Sequence, residues 1–471
     1  MAKEGRPLII RDEIHGDMTL DPILKRVIDH EAFQRLRRIK QLGLADYVFP
    51  CATHTRFQHS LGASYLAGQY FDSMVKNWTH SPFRFDGRYQ NTTFFSERTS
   101  AVVSEVAQDE VSLDYWRRVT CLSGLLHDVG HGPWSHTFEH LELDQNFTSV
   151  VNRLDGPIRE FFDGLTAGKE RLHHEELSVL YTFHILKSLG EDAGYFLPVA
   201  TLLDKRLSNS PQREALQSHM AGYWKAQGIK GGLDFHRLLG PLISGPFDVD
   251  RIDYIQRDGR NCGVHIAGIE WRRIVSKLIP CLADHQSDSG EPRDVVLVSH
   301  IRNQHIIDDF IFTLFQMYAQ VYMHPKIVGL EEAIRRILRR ELPSRPEFEV
   351  TFDTHASLSD ENFRELLENR LGIRQIRELL LRSPNAKFEV DRYPRGAEVE
   401  TTLQQNGFEL IEDLERPMMK DAVGVFLFST IKEEDAEKTF VEAWASVSPI
   451  AEQLFSIHYI PNLWIHTKPG H

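Results

Sequence analysis

Cysteine is scarce in this chain of 471 residues: Cys51, Cys121, Cys262 and Cys281 stand far apart and form no CxxC pair. That spacing argues against a zinc ribbon or a thioredoxin-like motif. Long hydrophobic runs are missing as well. No apolar stretch approaches the ~18 residues needed to cross a bilayer, and no charged-then-apolar signal segment opens the chain. No membrane association is therefore expected, and a reducing, cytoplasmic compartment is. Positive charge is also short, with 54 Lys and Arg against 67 Asp and Glu, a formal net charge of −13. Such a molecule repels nucleic acid and anionic membrane as a whole, which argues against a general nucleic-acid coat protein. A small phosphate-bearing substrate stays open, because a local basic cluster outweighs distant acidic charge at short range. Internal repeats and low-complexity tracts are absent.

The length has room for one large domain with a smaller one, or for two to three ordinary ones. Apolar residues at three-to-four spacing predict a helix from Asp21 to about Leu42 and another from about Thr55 to Trp78. Residues 81–99 are polar and aromatic and read as a loop. An apolar helix follows through Trp116 and Leu126 and stops at Gly130, and Pro133 opens a segment over 136–143. Further helices fit 175–188, 195–203, 212–224, 248–256, 303–323 and 327–341, with a β-branched strand at 294–299. After Leu342 the texture changes: Pro343 to Pro346 reads as a linker. Beyond it, strand-like runs at 348–352 and 423–428 alternate with helical patterns at 360–371 and 433–444. The expectation is a mainly α protein: a helical body over 1–342 and a smaller C-terminal α+β region over 343–471.

Histidine is the anomaly, with 23 in the chain. His127 and Asp128 are adjacent at the end of an apolar helix, in LLHDVGHGPWSH. An isolated His–Asp pair is an ordinary hydrogen-bonded couple. Here His131 and His136 follow it, His54, Arg56 and His59 precede it in HTRFQHS, and Asp248, Asp250, Asp253 and Asp258 come later in FDVDRIDYIQRD. So many imidazoles and carboxylates on apolar helices are costly to bury unless they pair or bind metal. Histidine and aspartate ligands suit an octahedral first-row ion or Mg²⁺ with open positions, whereas a structural zinc site is closed and rich in thiolate. Asp250, Tyr254 and Asp258, at i, i+4 and i+8, share one helix face.

HTRFQHS, HDVGHGPWSH, HHEE and DVDRIDYIQRD, in that order, resemble the deoxynucleoside triphosphate triphosphohydrolases of the HD superfamily. IIRDEIHGDMTLDP and DHEAFQRLRRIKQLG match that family too, and the resemblance covers roughly residues 8 to 335. It implies an HD-domain helical core and a divalent metal (Fe, Mn, Mg, Ni or Zn) held by His59, His127, Asp128 and Asp250. His131, His136 and His174 would line the phosphates, with His136 acting at the α-phosphate or as general acid toward the leaving oxygen. Arg56 and Arg251 would hold phosphate oxygens. Gln41, Leu42, Tyr254, Asp258 and Tyr322 match the residues around the sugar, which exclude a 2′-hydroxyl. The implied reaction releases deoxynucleoside and inorganic triphosphate from a dNTP.

The same resemblance implies a second nucleotide site. Asp29, Gln34 and Arg37 match residues that read the guanine of an activator (GTP or a dNTP), and Arg272 and Arg302 match phosphate-holding residues. His300 and Pro325 stand where the family has Arg and often Lys. Family sites of this kind lie between subunits, so a homo-oligomer, dimer or tetramer, is expected, with nucleotide binding and assembly linked. One rigid helix from Asp29 to Leu42 would then touch both activator and substrate. The segment 137–173 is longer than the family leads one to expect and would form a lid or a subunit contact. An HD-type nuclease or phosphodiesterase acting on single-stranded nucleic acid or cyclic nucleotides is the alternative, disfavoured by the acidic charge. A non-catalytic nucleotide sensor is a third reading.

Overall fold

The computed structural model describes residues 7–80, 87–141, 143–168, 171–265, 268–286, 292–342 and 349–381. In the C-terminal part it describes 388–392, 401, 404–405, 409–410, 416–417, 425–433, 436–443, 448, 458–459 and 463–467. Helices dominate, as the apolar periodicity predicts, and the expected linker Pro343–Pro346 lies outside the described residues.

The helix Arg56–His80 runs through the core and packs against Glu110–Leu126 on one side and Val249–Asn261 on another. Its small residues set how close the neighbours come. A Cβ on Gly124 would meet the Ala63 carbonyl at 2.8 Å, and one on Gly62 would meet the Asp253 carboxylate at 1.9 Å. Asp109 caps the helix Glu110–Leu126 through the Ser112 amide, and the helix ends so that His127 and Asp128 emerge just beyond its last turn. His174–Leu189, capped by a reciprocal His173–Glu176 pair, and Pro325–Glu341, opened by proline, complete the frame of the site.

A six-stranded sheet lies on the helices. Its order is Ala436–Ala443, Val425–Glu433, Pro292–His300, Ile279–Gln286, Thr92–Phe94 and Gly87–Tyr89. All neighbours are antiparallel except Val425–Glu433, which runs parallel to Pro292–His300. Residues 349–381 pack on the helical body: Glu349–Thr351 pairs in parallel with Asp144–Asn146, and Phe363 meets Trp134 and Phe138 edge-on. The described residues of 137–173 include the strand Asp144–Asn146 and the helices Thr148–Val151 and Gly156–Ala167.

Several expectations are corrected. The helix from Asp21 to Leu42 is broken: Pro22–Ile28 is α-helical, His30 caps a single turn at Glu31–Gln34, and Arg35–Arg38 is a 3₁₀ turn. Ile39 is extended and Lys40 bridges Thr55, so Gln41 and Leu42 lie on no helix. Aspartate and histidine at 29 and 30 favour a cap over helix continuation. Residues 87–94 form two strands instead of loop, because Thr92–Phe94 finds an edge at Ile279–Gln286. The helix expected over 433–444 is the strand Ala436–Ala443, where pairing with Val425–Glu433 overrides the Glu and Ala propensity. The helix expected over 303–323 changes pitch: Gln304–Met317 is α-helical, and Tyr318–Tyr322 is a π turn. No described helix is long and apolar enough to cross a membrane.

Candidate active site

Three helix ends bring the first cluster together. His59 comes from the first turn of Arg56–His80, His127 and Asp128 from beyond Glu110–Leu126, and Asp250 from the start of Val249–Asn261. The Nε2 atoms of His59 and His127 face each other at 3.1 Å, and Asp250 Oδ1 lies 3.0 and 3.5 Å from them. Asp128 sits at 3.4 Å from His59 and 3.5 Å from His127, and it also contacts the Arg56 guanidinium and, at 3.4 Å, His131 Nε2. Two ring nitrogens in contact can share one proton at most, and carboxylates flank them. That is the donor set of a divalent cation with open positions, and the residues fit one.

The remote ring nitrogens are anchored. His127 Nδ1 donates to the Gly124 carbonyl at 2.9 Å, and His59 Nδ1 to Asp253 at 2.9 Å. Asp253 also takes His15 Nε2 at 2.6 Å and two guanidinium contacts from Arg257, which reaches on to Asp12 at 2.9 Å. All of these side chains are buried, so the N-terminal hairpin Leu8–Leu20 is tied to a metal-facing imidazole. Burial works against a charged His59, but Asp250, Asp253 and Asp128 outweigh it and raise its pKa to about 10.

Next to this cluster opens a cavity of about 740 Å³. It is lined by His131, His136, His174, Arg56 and Arg251 and by all five residues expected at the sugar: Gln41, Leu42, Tyr254, Asp258 and Tyr322. Arg56 is preset by Ser135 at 2.8 Å, and Arg251 by the Gly245 carbonyl at 2.6 Å. Asp258 holds both His54, at 2.7 Å, and the Tyr322 hydroxyl, at 2.8 Å. Asp250, Tyr254 and Asp258 share the cavity-facing side of one helix, as their spacing predicts.

Sequence reasoning missed Glu139. It lies one helical turn beyond His136 and accepts from His174 Nδ1 at 2.8 Å. Burial disfavours a charged His174, yet Glu139 prevails and raises its pKa to about 9. His131 is driven the other way, well below the usual imidazole range, by burial and then by Arg56. The i, i+3 spacing of His136 and Glu139 was the available signal.

The residues expected at an activator site do not line this cavity. Asp29 pairs with Lys25 at 2.6 Å, Gln34 accepts from Arg37 at 2.8 Å, and the Arg37 guanidinium lies 3.6 Å over the Phe57 ring. Arg272 stacks on Trp271, and Arg302 sits exposed in the 3₁₀ turn Ile301–Asn303. No single rigid helix joins Asp29 to Leu42, which removes the expected one-helix route between the two sites.

With this helical frame and His/Asp cluster, the chain is a member of the HD superfamily of phosphohydrolases. Within it the chain is related to the SAMHD1 proteins. It is 30% identical to the deoxynucleoside triphosphate triphosphohydrolase SAMHD1 of Xenopus laevis, over 68% of this chain and 46% of that protein. It is 26% identical to an uncharacterized protein of Methanocaldococcus jannaschii, over 72% of this chain and 50% of the relative. The chain therefore spans about half the length of these curated relatives. The crystal structure of a phosphohydrolase from Bacteroides thetaiotaomicron shares the fold, with a TM-score of 0.57 at 21% identity, covering 97% of this chain and 98% of that one. No family model matches the chain.

Proposed function

We propose that the protein is a metal-dependent phosphohydrolase that cuts dNTPs into deoxynucleoside and inorganic triphosphate. The observation that carries this reading is a single cavity lined by Asp128 and Asp250 of the His/Asp cluster and by Gln41, Leu42, Tyr254, Asp258 and Tyr322. The triphosphohydrolase activity of the SAMHD1 relative supports it.

His59, His127, Asp128 and Asp250 would hold the divalent cation. When bound, the cation supplies Lewis acidity, which activates water and offsets charge at a phosphoryl group. Arg56 and Arg251, both preset by hydrogen bonds, clamp phosphate oxygens with little reorganisation. His131 and His174 line the phosphates. His136 is the most exposed of the three imidazoles and can deliver a proton to the departing 5′ oxygen. Asp258, aimed by His54 and Tyr322, accepts the 3′-hydroxyl beside Gln41, while Leu42 and the Tyr322 ring fill the space a 2′-hydroxyl would need.

We read residues 1–342 as the phosphohydrolase part and 343–471 as an α+β part that serves assembly or regulation. Nucleotide binding at Asp29, Gln34, Arg37, Arg272 and Arg302 would be coupled to dimer or tetramer formation. Cys51, Cys121, Cys262 and Cys281 form no disulfide, which suits a reducing cytoplasm.

The test is incubation of metal-loaded protein with each dNTP and each NTP, alone and mixed, with chromatographic identification of products. Intact triphosphate with deoxynucleoside is expected. Monophosphate with pyrophosphate, or cleavage of single-stranded nucleic acid in place of dNTPs, overturns the assignment.

A further inference from the structure

A buried guanidinium stands behind the loop that carries Asp128. Arg35 is 2% exposed and, among the described residues, pairs with no carboxylate; its Nε and Nη1 have no hydrogen-bond partner there. Its Nη2 donates to the Val129 carbonyl, and its guanidinium carbon lies 4.4 Å from the centre of the Tyr181 ring. Tyr181, itself buried, bonds His355 Nδ1 through its hydroxyl at 2.9 Å. Burial works against the charge on Arg35 and lowers its pKa. A buried charge without a counter-charge is a poor source of stability, because an apolar side chain of similar volume fills the same space without the desolvation cost.

The loop shows what the charge does instead. Three consecutive buried or half-buried carbonyls are each given a donor, as buried backbone requires. Ser178 Oγ donates to the His127 carbonyl at 2.6 Å, the His131 amide to Asp128 at 3.2 Å, and Arg35 to Val129. Ser178 also accepts the Gly130 amide at 2.9 Å, and a Cβ on Gly130 would meet the Ser178 amide nitrogen at 2.2 Å, so the loop has no slack against the helix His174–Leu189. Tyr181, one turn after Ser178 on that helix, is the ring beneath Arg35. We propose that Arg35 is a positioning residue for the metal site: it fixes the backbone at Val129 and so sets where the adjacent Asp128 carboxylate stands among His59, His127 and Arg56. Arg35 does not line the cavity itself. It leaves the chain in the 3₁₀ turn Arg35–Arg38, directly after Gln34 and in the same turn as Arg37, so one side chain links that turn to the metal loop. The proposal rests on the metal-binding reading of Asp128 and is independent of which substrate is cut.

The experiment titrates Mn²⁺ alone into metal-stripped full-length protein, with free Mn²⁺ read by electron paramagnetic resonance, alongside thermal melts. Arg35→Met should melt close to the wild type yet bind Mn²⁺ ~10–100-fold more weakly, and Arg35→Lys, which keeps the charge and a donor, should recover part of that loss. On a dNTP, Arg35→Met should lower kcat about 10-fold at unchanged KM. Wild-type Mn²⁺ affinity in Arg35→Met, or affinity lost only in step with the melting temperature, overturns the proposal. Should Arg35→Met fail to fold, Arg35→Lys decides: weaker Mn²⁺ binding with a wild-type melt supports the positioning role, and wild-type affinity removes it. Absence of Mn²⁺ binding in the wild type would strike the metal reading and this role with it, and would show before any variant is made.

Discussion

The carboxylate of Asp360 accepts the backbone amide of Trp134 at 2.8 Å, across 226 positions of sequence, and with its other oxygen the amide of Lys40 at 3.0 Å. Trp134 and Ser135 both have left-handed backbones, with φ of 59° and 53°. Such conformations are costly for non-glycine residues and persist only where surrounding structure over-determines them. Asp360 supplies that constraint, and the turn it holds delivers Ser135 to Arg56 and His136 to the cavity.

Replacing Asp360 with alanine should therefore strand two backbone N–H groups and relax the turn. The expected cost is about 2–4 kcal/mol of stability, with at least a ~10-fold loss of kcat from misplacement of Arg56 and His136. Thermal melts and steady-state kinetics on the folded fraction would check both. An unchanged melting temperature would show that the turn holds itself.

The same residue carries a pH signature. Burial pushes the Asp360 carboxyl up to about 6, above the ordinary carboxylate range, although the two amides pull the other way. The folded state thus binds its proton more tightly than the unfolded chain does. Its contribution is full below about pH 4 and is lost as pH rises through 6. Asp360→Asn should flatten that decline, which is at most about 3 kcal/mol. Urea unfolding of both proteins from pH 4 to 7 measures the difference, and parallel curves would show that Asp360 does not titrate in this range.

Much of the cavity was legible in the sequence because its signals are local. Asp250, Tyr254 and Asp258 declare a shared face by spacing alone, and His127 and Asp128 mark a helix end. Asp360, His15 and Arg257 were not legible, since each acquires its role from a partner distant in the chain or from a buried network. The break after Ile28 rests on a histidine cap that helical periodicity hides. The strand Ala436–Ala443 reads as helix by composition and is decided by its hairpin partner.

Asp253 is expected to control metal affinity without touching the metal. Asp253→Asn keeps the shape but removes the charge behind His59, and should weaken metal binding ~10–100-fold. Asp253→Ala should in addition cost about 3–5 kcal/mol, because it takes a partner from the buried Arg257. Metal titration and chemical denaturation separate the two effects. Equal metal affinity in wild type and Asp253→Asn would make the network purely structural.

Sugar discrimination should reside in Leu42. Leu42→Ala opens space at the 2′ position and should raise the relative kcat/KM for an NTP over its dNTP about 10-fold. Parallel kinetics on one matched pair of nucleotides gives the answer. No change would mean that the Tyr322 ring, fixed by Asp258, excludes the hydroxyl alone.

Regulation is tested at Arg37, whose guanidinium is already engaged by Gln34 and the Phe57 ring. A guanine nucleotide or a second dNTP should stimulate hydrolysis and raise the oligomeric mass, and Arg37→Ala should abolish both at unchanged metal content. Full activity on single dNTPs, with no lag and no effect of the variant, would make Arg37 a packing residue.

The π turn at Tyr318–Tyr322 places both tyrosines on the cavity, their rings 5.3 Å apart. A π turn is one residue wider than the α-helix around it. Losing that residue would rotate everything after it by about 100°, carrying the Tyr322 hydroxyl away from Asp258. What the pocket accepts is therefore written partly in a count of residues, a property that alignment gaps reveal and side-chain substitutions do not.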